Sequence, residues 1–158
     1  MAEVSIRKYR RRDRSAVLRI TDQSFGGFCV DSNMEDHFGR IAGSNWQQRK
    51  RAAILYDLKR NPRHCLIAEE DDEVVGYCCT RIYKDLSTGH IANMAVDRLY
   101  QGRGIGKKLM RAALEHFRDQ GMDYARIETM EQNETGKHLY PAFGFKEIGR
   151  QIFFFREL

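Results

Sequence analysis

The stretch "YQGRGIGKKL", residues Tyr100 to Leu109, decides the fold, because three glycines alternate along the chain where a helix begins. Glycine lets the backbone take positive φ angles and lets another group approach the main chain closely. The preceding segment, Gly89 to Val96, is typical of a strand, and an apolar stripe after the glycines predicts a helix: Ile105, Leu109, Ala113 and Phe117. A strand, a glycine turn and a helix start together form a place where an anion meets unpaired backbone N–H groups.

Basic residues surround these glycines at the start of the predicted helix, namely Arg103, Lys107, Lys108 and Arg111. Exposed cations at a helix N-terminus oppose the helix dipole by about 0.3–1 kcal/mol each. The helix carries no acidic residue before Glu115, whereas a purely structural helix would be expected to show the opposite polarity. We therefore expect a diphosphate ligand in the turn, with the cations as its partners.

The spacing of the glycines excludes two common phosphate-binding motifs. A Walker loop has four residues between its glycines and a Ser or Thr after the Lys, whereas Gly102 and Gly106 are separated by three residues and Lys107 is followed by Lys108. The dinucleotide fingerprint needs its third glycine one residue later than Gly106, and an acid closing a following strand. The sequence therefore predicts neither a P-loop nor a dinucleotide site.

The pattern that does fit is Gln101-x-x-Gly104-x-Gly106 after the strand "NMAVD". It resembles the turn that holds the diphosphate of acetyl-CoA in the N-acetyltransferase superfamily abbreviated GNAT. A second block, "NETGKHLYPAFGF", agrees with the family at Asn133, Tyr140 and the pair Gly144 and Phe145, with Gly136 where the family more often has Ala. The two blocks cover about Gly89 to Phe145, and the first 60 residues resemble the family only in outline.

The resemblance implies acetyl-CoA as co-substrate, with its pantetheine arm paired along the strand before the glycines as an added strand would be. The diphosphate would lie on the N–H groups of the glycine turn, and Asn133 would bond the arm near the thioester. The implied cofactor-binding residues are Met94, Ala95, Val96, Gln101, Gly102, Arg103, Gly104, Ile105, Gly106, Lys107 and Asn133.

The chemistry implied by the resemblance is direct attack of an amine on the thioester, which needs a neutral amine and a proton for the leaving thiolate. Tyr140 matches the family's proton donor. A lysine amine has a reference pKa of about 10.4, so a base would help. Glu128 is the favoured base, His90 is the alternative, and Glu131 is a third candidate that we expect to be solvated.

Composition bounds the remaining function classes. A chain of 158 residues with 42% hydrophobic and 31% charged residues is typical of one globular domain, here taken as residues 1–158. Cys29, Cys65, Cys78 and Cys79 lack metal-ligand spacing, so we expect reduced thiols and no metal. The net charge of +5 suggests an anionic partner, but aromatic residues do not interleave with the basic ones, which makes nucleic acid an unfavoured partner.

The sequence shows no apolar signal segment and no run of 18 apolar residues. We therefore expect a cytoplasmic protein without a membrane partner. These observations neither predict nor exclude a homodimer.

The expected fold is a single α/β (α+β) domain of the GNAT type, with flanking helices and a mixed, mostly antiparallel sheet of six or seven strands. The sheet is expected to open between the strands "HIANMAV" and "RIETM", where acetyl-CoA would enter. The predicted strands are Ser5 to Tyr9, "HCLIAEE", "EVVGYCCTRIY", Gly89 to Val96, "YARIETM" and a closing "EIGRQIFFF". The predicted helices begin after Asp13, run from Asn45 to Arg60, follow the glycines to Gly121, and run from Thr135 to Phe143.

The predicted function is acetyl-CoA-dependent N-acetylation of a primary amine, on a protein N-terminus, a lysine or a small molecule. Two alternatives stay open, namely an acyl-CoA-binding module without catalysis and a nucleic-acid-binding protein that uses the basic arm "RKYRRRDR". The segment from Gly26 to Ser44 would form much of the wall of the site that binds the acceptor amine. Its Asp31, Glu35 and Asp36 either meet a cationic amine or belong to a solvated loop.

Overall fold

The structure, a computed structural model, describes residues 3–158 as a five-stranded sheet with helices on both faces. The strands are β1 (Ser5–Lys8), β2 (Cys65–Glu70), β3 (Glu73–Tyr83), β4 (Thr88–Val96) and β5 (Tyr124–Ile127). The helices are α1 (Arg14–Ser24), α2 (Val30–Phe38), α3 (Trp46–Arg60), α4 (Ile105–Asp119) and α5 (Glu134–Ala142).

The strands lie in the sheet in chain order, β1-β2-β3-β4-β5. All neighbours are antiparallel except β4 and β5, which are parallel and are joined by the α4 crossover. The pairing of β4 with β5 runs only from Thr88 opposite Tyr124 to Ile91 opposite Ile127. The rest of β4 has no partner on that side within residues 3–158, so the predicted opening between these strands is confirmed.

Each face of the sheet is covered by different helices, because successive strand residues point to opposite faces. On one face α1 and α3 bury Val17 and Ile54 against Cys79. On the other face α4 buries Leu109 against Cys78. The adjacent cysteines thus point in opposite directions, and all four cysteines are buried and form no disulfide.

Local signals in the sequence explain the helix boundaries. The side chain of Asn45 accepts a hydrogen bond from the Gln48 N–H at 2.9 Å, which caps the start of α3. The helix ends at Asn61, just before a proline. Asp13 does precede α1, but its carboxylate does not cap the helix. Instead, it accepts hydrogen bonds from the Arg7 guanidinium at 2.8 and 2.9 Å.

The predicted strand count of six or seven is wrong, because the sheet has five strands. The segment "EIGRQIFFF" forms no regular element. Its Ile148 and Phe154 side chains are almost fully exposed and do not pack on the sheet. β5 also ends at Ile127, so Glu128 follows this strand and does not lie on it. Within Gly26 to Ser44, the structure forms α2. Among residues 3–158, no helix combines the length and the apolar content needed to cross a bilayer.

Candidate active site

The glycine turn connects β4 to α4 and is open to solvent. Gly102 and Gly104 have φ angles of 75° and 78°, which side chains rarely adopt, and Gly104 is the N-cap residue of α4. A Cβ atom on Gly102, Gly104 or Gly106 would meet nothing within 4 Å. The first α-helical hydrogen bond runs from the Lys108 N–H to the Gly104 carbonyl at 3.1 Å. The amides that precede Lys108 at the start of α4 therefore have no intrahelical acceptor.

The basic residues of the turn differ in whether they already contact other groups of the protein. Arg103 donates a hydrogen bond to Glu70 at 3.0 Å, and its guanidinium lies 5.1 Å from the ring centre of Tyr100. Lys108 donates to the Val4 carbonyl at 3.1 Å. Lys107 is exposed and forms no ion pair within residues 3–158. Lys107 is thus better placed than Arg103 to meet an anion in the turn.

The open side of β4 presents the main chain of alternate residues. The Asp97 N–H donates to Val75 on β3 at 2.8 Å, so alternation turns the main-chain groups of Ala95 toward β3 and those of Met94 and Val96 toward the opening. The side-chain amide of Gln101 donates to the Val96 carbonyl at 3.2 Å. Gln101 therefore ties the glycine turn to the end of β4.

His90 and Glu128, the two alternative bases predicted from the sequence, are hydrogen-bonded to each other. The Nε2 atom of His90 lies 2.8 Å from the Glu128 Oε1 atom, beside the last paired residues of β4 and β5. The His90 side chain is 7% exposed and Glu128 is 57% exposed. The Nδ1 atom of His90 is buried, and among the described residues it has no hydrogen-bond partner. Since the Glu128 carboxylate accepts from Nε2, Nδ1 carries the lone pair of the neutral ring.

The pKa of the Glu128 carboxyl lies below its ordinary value, chiefly because of the hydrogen bond from His90 and with help from Arg126. Arg126 donates to the second carboxylate oxygen at 3.1 Å. A lowered pKa makes Glu128 a weaker base and a more permanent negative charge. The His90 ring also stacks with Tyr83, with ring centres 6.1 Å apart.

Tyr140 and Asn133 lie in the segment that follows β5. Asn133 caps α5, because its Oδ1 accepts from the Gly136 N–H at 3.1 Å while its Nδ2 donates to Thr129 at 2.9 Å. Burial raises the pKa of Tyr140, and a hydrogen bond with Thr129 partly offsets this effect. A Cβ atom on Gly136 would lie 2.7 Å from Asn133 Nδ2 and 2.9 Å from the Tyr140 hydroxyl. Glycine at position 136 thus lets the two side chains lie close together.

Two of the acids in the segment predicted to line the acceptor site, Gly26 to Ser44, are paired with one arginine of α3. Arg49 of α3 donates to the Asp31 carboxylate at 3.3 Å and to Glu35 at 3.5 Å. The predicted attraction between these acids and a cationic amine therefore has a competing partner inside the protein. Asp36 is not among the carboxylates that Arg49 contacts.

Sequence reasoning missed a polar network next to this wall. Asp57 is fully buried and accepts hydrogen bonds from Arg81 at 2.8 and 3.0 Å. Asn93 bonds Asp57 at 3.4 Å and accepts from Lys50 Nζ at 2.6 Å. Burial lowers the pKa of Lys50, whose ammonium lies 4.3 Å from the ring centre of Phe25. Asn93 is a polar residue within the apolar strand "HIANMAV", and this pattern could have indicated a buried polar group. Lys50 lies in an ordinary basic run and gives no such signal.

Residues 3–158 contain no group of three or more His, Cys, Asp or Glu side chains arranged to hold a metal ion. The structure does provide an exposed glycine turn, a strand with an open side and a hydrogen-bonded His–Glu pair. A family profile described as "Acetyltransferase (GNAT) family" matches residues 30–145, most of the chain. The chain belongs to the GNAT family of acetyltransferases. The expectation drawn from the two sequence blocks is thus confirmed at the level of the family.

Two relatives match most of this chain. A mycothiol acetyltransferase of Thermomonospora curvata is 27% identical over 143 residues, which cover 90% of this chain and 44% of the relative. A Bacillus subtilis protein, named for N-acetylation of an alanine of ribosomal protein bS18, is 28% identical over 116 residues, covering 72% of this chain and 76% of that protein. The chain thus spans less than half of the first relative and about three quarters of the second.

The fold of this family member also matches solved structures. PaiA N-acetyltransferase from Thermoplasma acidophilum, solved in complex with coenzyme A, superposes with a TM-score of 0.71 at 19% identity. The match covers 91% of this chain and 90% of that one. At this identity the comparison establishes the shared fold, which agrees with the family assignment.

Proposed function

We propose that the protein transfers the acetyl group of acetyl-CoA to a primary amine by direct attack of the amine. The observation that carries this proposal is the hydrogen-bonded pair of His90 and Glu128 at the point where β4 and β5 separate. A buried imidazole nitrogen without a partner is costly unless a water molecule or a ligand satisfies it. An incoming amine is a group that can donate a hydrogen bond to His90 Nδ1.

The residues around the opening fit acetyl-CoA. Bare main chain at Gly102, Gly104 and Gly106, with amides that lack intrahelical acceptors, suits a diphosphate. Lys107 adds a cation at the same place, and Met94 offers main-chain groups on the open side of β4 to an amide-containing arm. When bound, acetyl-CoA supplies the thioester carbonyl that the amine attacks.

In this proposal His90 is the base and Glu128 is a positioning residue. His90 Nδ1 takes a proton from the attacking amine nitrogen as that nitrogen bonds to the carbonyl carbon. The Glu128 carboxylate fixes the ring by accepting from Nε2, and it stabilises the positive charge that the ring gains. This reverses the preference from the sequence, because a carboxylate with a lowered pKa is a poorer proton acceptor.

Tyr140 supplies the second proton. The carbon–sulfur bond breaks as the carbon–nitrogen bond forms, and the leaving thiolate takes the phenolic proton. A pKa raised by burial keeps the Tyr140 hydroxyl protonated at neutral pH. Asn133 and Gly136 hold the start of α5 in place beside this hydroxyl.

The acceptor is proposed only as a primary amine. The relatives named above act, by their names, on mycothiol in one case and on a ribosomal-protein alanine in the other. Arg49 already pairs with Asp31 and Glu35, which weakens the argument for selective capture of a polycation. A panel of peptides with free N-termini, lysine peptides, polyamines and aminoglycosides, with released CoA as the readout, tests the acceptor class.

The alternative of an acyl-CoA-binding module makes a different prediction for the same panel. It requires acetyl-CoA binding in calorimetry with no CoA released above the uncatalysed rate. The nucleic-acid alternative is weakened by Arg7, which lies in the basic arm and is bonded to both Asp13 and Glu69. Failure to bind acetyl-CoA would refute the proposed function and the module alternative together.

Kinetics over a range of pH test the assignment of the base. His90→Ala should lower kcat by about 100-fold, within the usual contribution of a general base. Its residual rate should rise about tenfold per pH unit below the pKa of the amine, because only neutral amine then reacts. Glu128→Gln should cost less and keep the acid limb of the wild-type profile, because His90 Nδ1 is retained.

Glu131→Gln is the matched control, since Glu131 is an exposed acid that pairs with Arg150 away from His90. It should leave kcat and the pH profile unchanged. If Glu128→Gln instead lowers kcat about 100-fold while His90→Ala leaves it nearly unchanged, Glu128 is the base and our assignment is wrong.

A further inference from the structure

Lys50 of α3 has only uncharged groups in contact with its ammonium. The Nζ atom donates to Asn93 Oδ1 at 2.6 Å and lies 4.3 Å from the ring centre of Phe25. In the part of the chain that the structure describes, Lys50 forms no ion pair. Moving an ammonium away from water is costly unless an anion pairs with it. The Lys50 ammonium therefore lacks the anionic partner that its surroundings call for.

The carboxylates nearest to Lys50 are already bound to arginines. Burial lowers the pKa of Lys50, although Asp31 and Asp57 are near enough to act in the opposite sense. Asp31 pairs with Arg49 at 3.3 Å, and Asp57 pairs with Arg81 at 2.8 Å. Because each carboxylate has its own cation, neither is free to neutralise Lys50.

Asn93 holds the Lys50 ammonium on the face of β4 that also carries His90. Arg81 lies opposite His90 and Cys79 lies opposite Asn93, and partners in an antiparallel pair point to the same face. This face is covered by α3, which Cys79 packs against and Arg81 bonds. Two residues three positions apart share the face because the register shifts between them.

The distance along β4 is short enough for one small molecule to reach both groups. At about 3.3 Å per residue, His90 and Asn93 are at most about 10 Å apart along the strand. Lys50 and Phe25 are only partly buried, and the adjoining Gly26, between α1 and α2, is exposed. An acceptor whose amine lies at His90 can therefore also contact the Lys50 ammonium.

We propose that the acceptor carries a carboxylate in addition to its amine, and that Lys50 binds this carboxylate. The inference rests on the proposed acetylation of an amine and names the class of acceptor. A carboxylate supplies the missing negative charge and accepts a charge-assisted hydrogen bond from the ammonium. One ammonium matches the single charge of a carboxylate, whereas a phosphate group brings nearly twice that charge. A polyamine would instead bring a second cation beside Lys50.

Steady-state kinetics with matched acceptors test this inference. The acceptors are ω-amino acids from glycine to 6-aminohexanoate, each compared with its own carboxamide, and released CoA is the readout. For at least one chain length, the ratio of kcat/KM for the acid to that for the amide should fall at least about tenfold in Lys50→Met. The acid and the amide differ in the pKa of their amines, but this difference is common to both proteins and cancels.

Two further variants show whether the charge at this position is responsible. Lys50→Arg keeps the charge and should keep most of the preference for the acid. Lys59→Met is the matched control, because it removes an exposed lysine from the same helix. Nine residues place Lys59 about 13 Å along the axis and on the opposite face of α3. It should have the wild-type ratio, and a loss as large as that in Lys50→Met would overturn the proposal.

Calorimetry separates a failure of this inference from a failure of the proposed function. The N-acetylated acids and amides, which cannot be acetylated again at that nitrogen, are titrated into protein saturated with CoA. For at least one chain length, the acid should bind at least about tenfold more tightly than the amide in the wild type and in Lys59→Met, but not in Lys50→Met.

The two readouts together give distinct results. Preferential binding of the acid without CoA release from any acceptor would support the carboxylate site and refute the proposed function. CoA release with the same ratio of acid to amide in the wild type and in Lys50→Met, at every chain length, would support the proposed function and overturn the carboxylate site. If neither turnover nor preferential binding is observed, both proposals are wrong.

Discussion

Acid should destabilise the fold through His116, which lies near the end of α4 between two other basic groups. Lys8 Nζ is 2.9 Å from His116 Nδ1, and His116 Nε2 is 2.9 Å from His64 Nδ1. The Lys8 ammonium can only donate, so Nδ1 accepts and Nε2 carries the proton that His64 accepts. Burial, followed by the Lys8 charge and His64, lowers the pKa of His116 from 6.5 to about 4, although Asp119 acts in the opposite sense.

The sign and the size of the effect follow from this shift. The folded state binds a proton at His116 less tightly than the unfolded state does. The contribution of neutral His116 to the free energy of unfolding is therefore fully present above pH 6.5 and is lost as the pH falls toward 4. A shift of this size corresponds to at most about 3 kcal/mol. Between about pH 7 and about pH 5 the loss amounts to about 2 kcal/mol. Burial and Lys8 also lower the pKa of His64, so the two rings titrate as a pair.

Urea unfolding of the wild type and of His116→Gln at both pH values measures this loss. Glutamine can still accept from Lys8 and donate to His64, but it does not titrate. Between the two pH values, the free energy of unfolding of the variant should therefore fall by about 2 kcal/mol less than that of the wild type. Effects of titrating groups away from the His64–His116 pair are common to both proteins and cancel in the comparison. Parallel pH profiles for the two proteins would refute the reasoning.

Two further substitutions test the glycines of the site. Gly104→Asp should weaken acetyl-CoA binding in calorimetry at least tenfold, about 1.4 kcal/mol, because it places a carboxylate where the diphosphate is expected, at a φ of 78°; unchanged affinity in a folded variant would contradict the site. Gly136→Ala should lower kcat, since its Cβ would displace the Asn133 amide and the Tyr140 hydroxyl. Gly149→Ala is the control, because a Cβ there meets nothing within 4 Å, and equal effects of the two alanines would refute the steric argument.

Elements with strong local signals could be predicted from the sequence. The cap at Asn45 and the stop at Asn61 fixed α3 almost to the residue, since both act through neighbours in the chain. The glycine turn was found for the same reason, because positive φ at Gly102 and Gly104 requires a particular residue type. The segment "EIGRQIFFF" has equally strong strand propensity and yet forms no strand in the structure. Strand formation depends on tertiary packing, which local propensity does not report.

The sequence could supply both members of the His–Glu pair but could not bring them together. His90 and Glu128 are 38 residues apart, and their contact depends on the register between β4 and β5 across the α4 crossover. The observed register sets His90 opposite Arg126, two residues before Glu128. A slip of one residue would exchange the faces of β5 and turn the carboxylate away from the ring. Two residues that the sequence presents as competing bases are therefore one hydrogen-bonded unit, and the register between β4 and β5 brings them together.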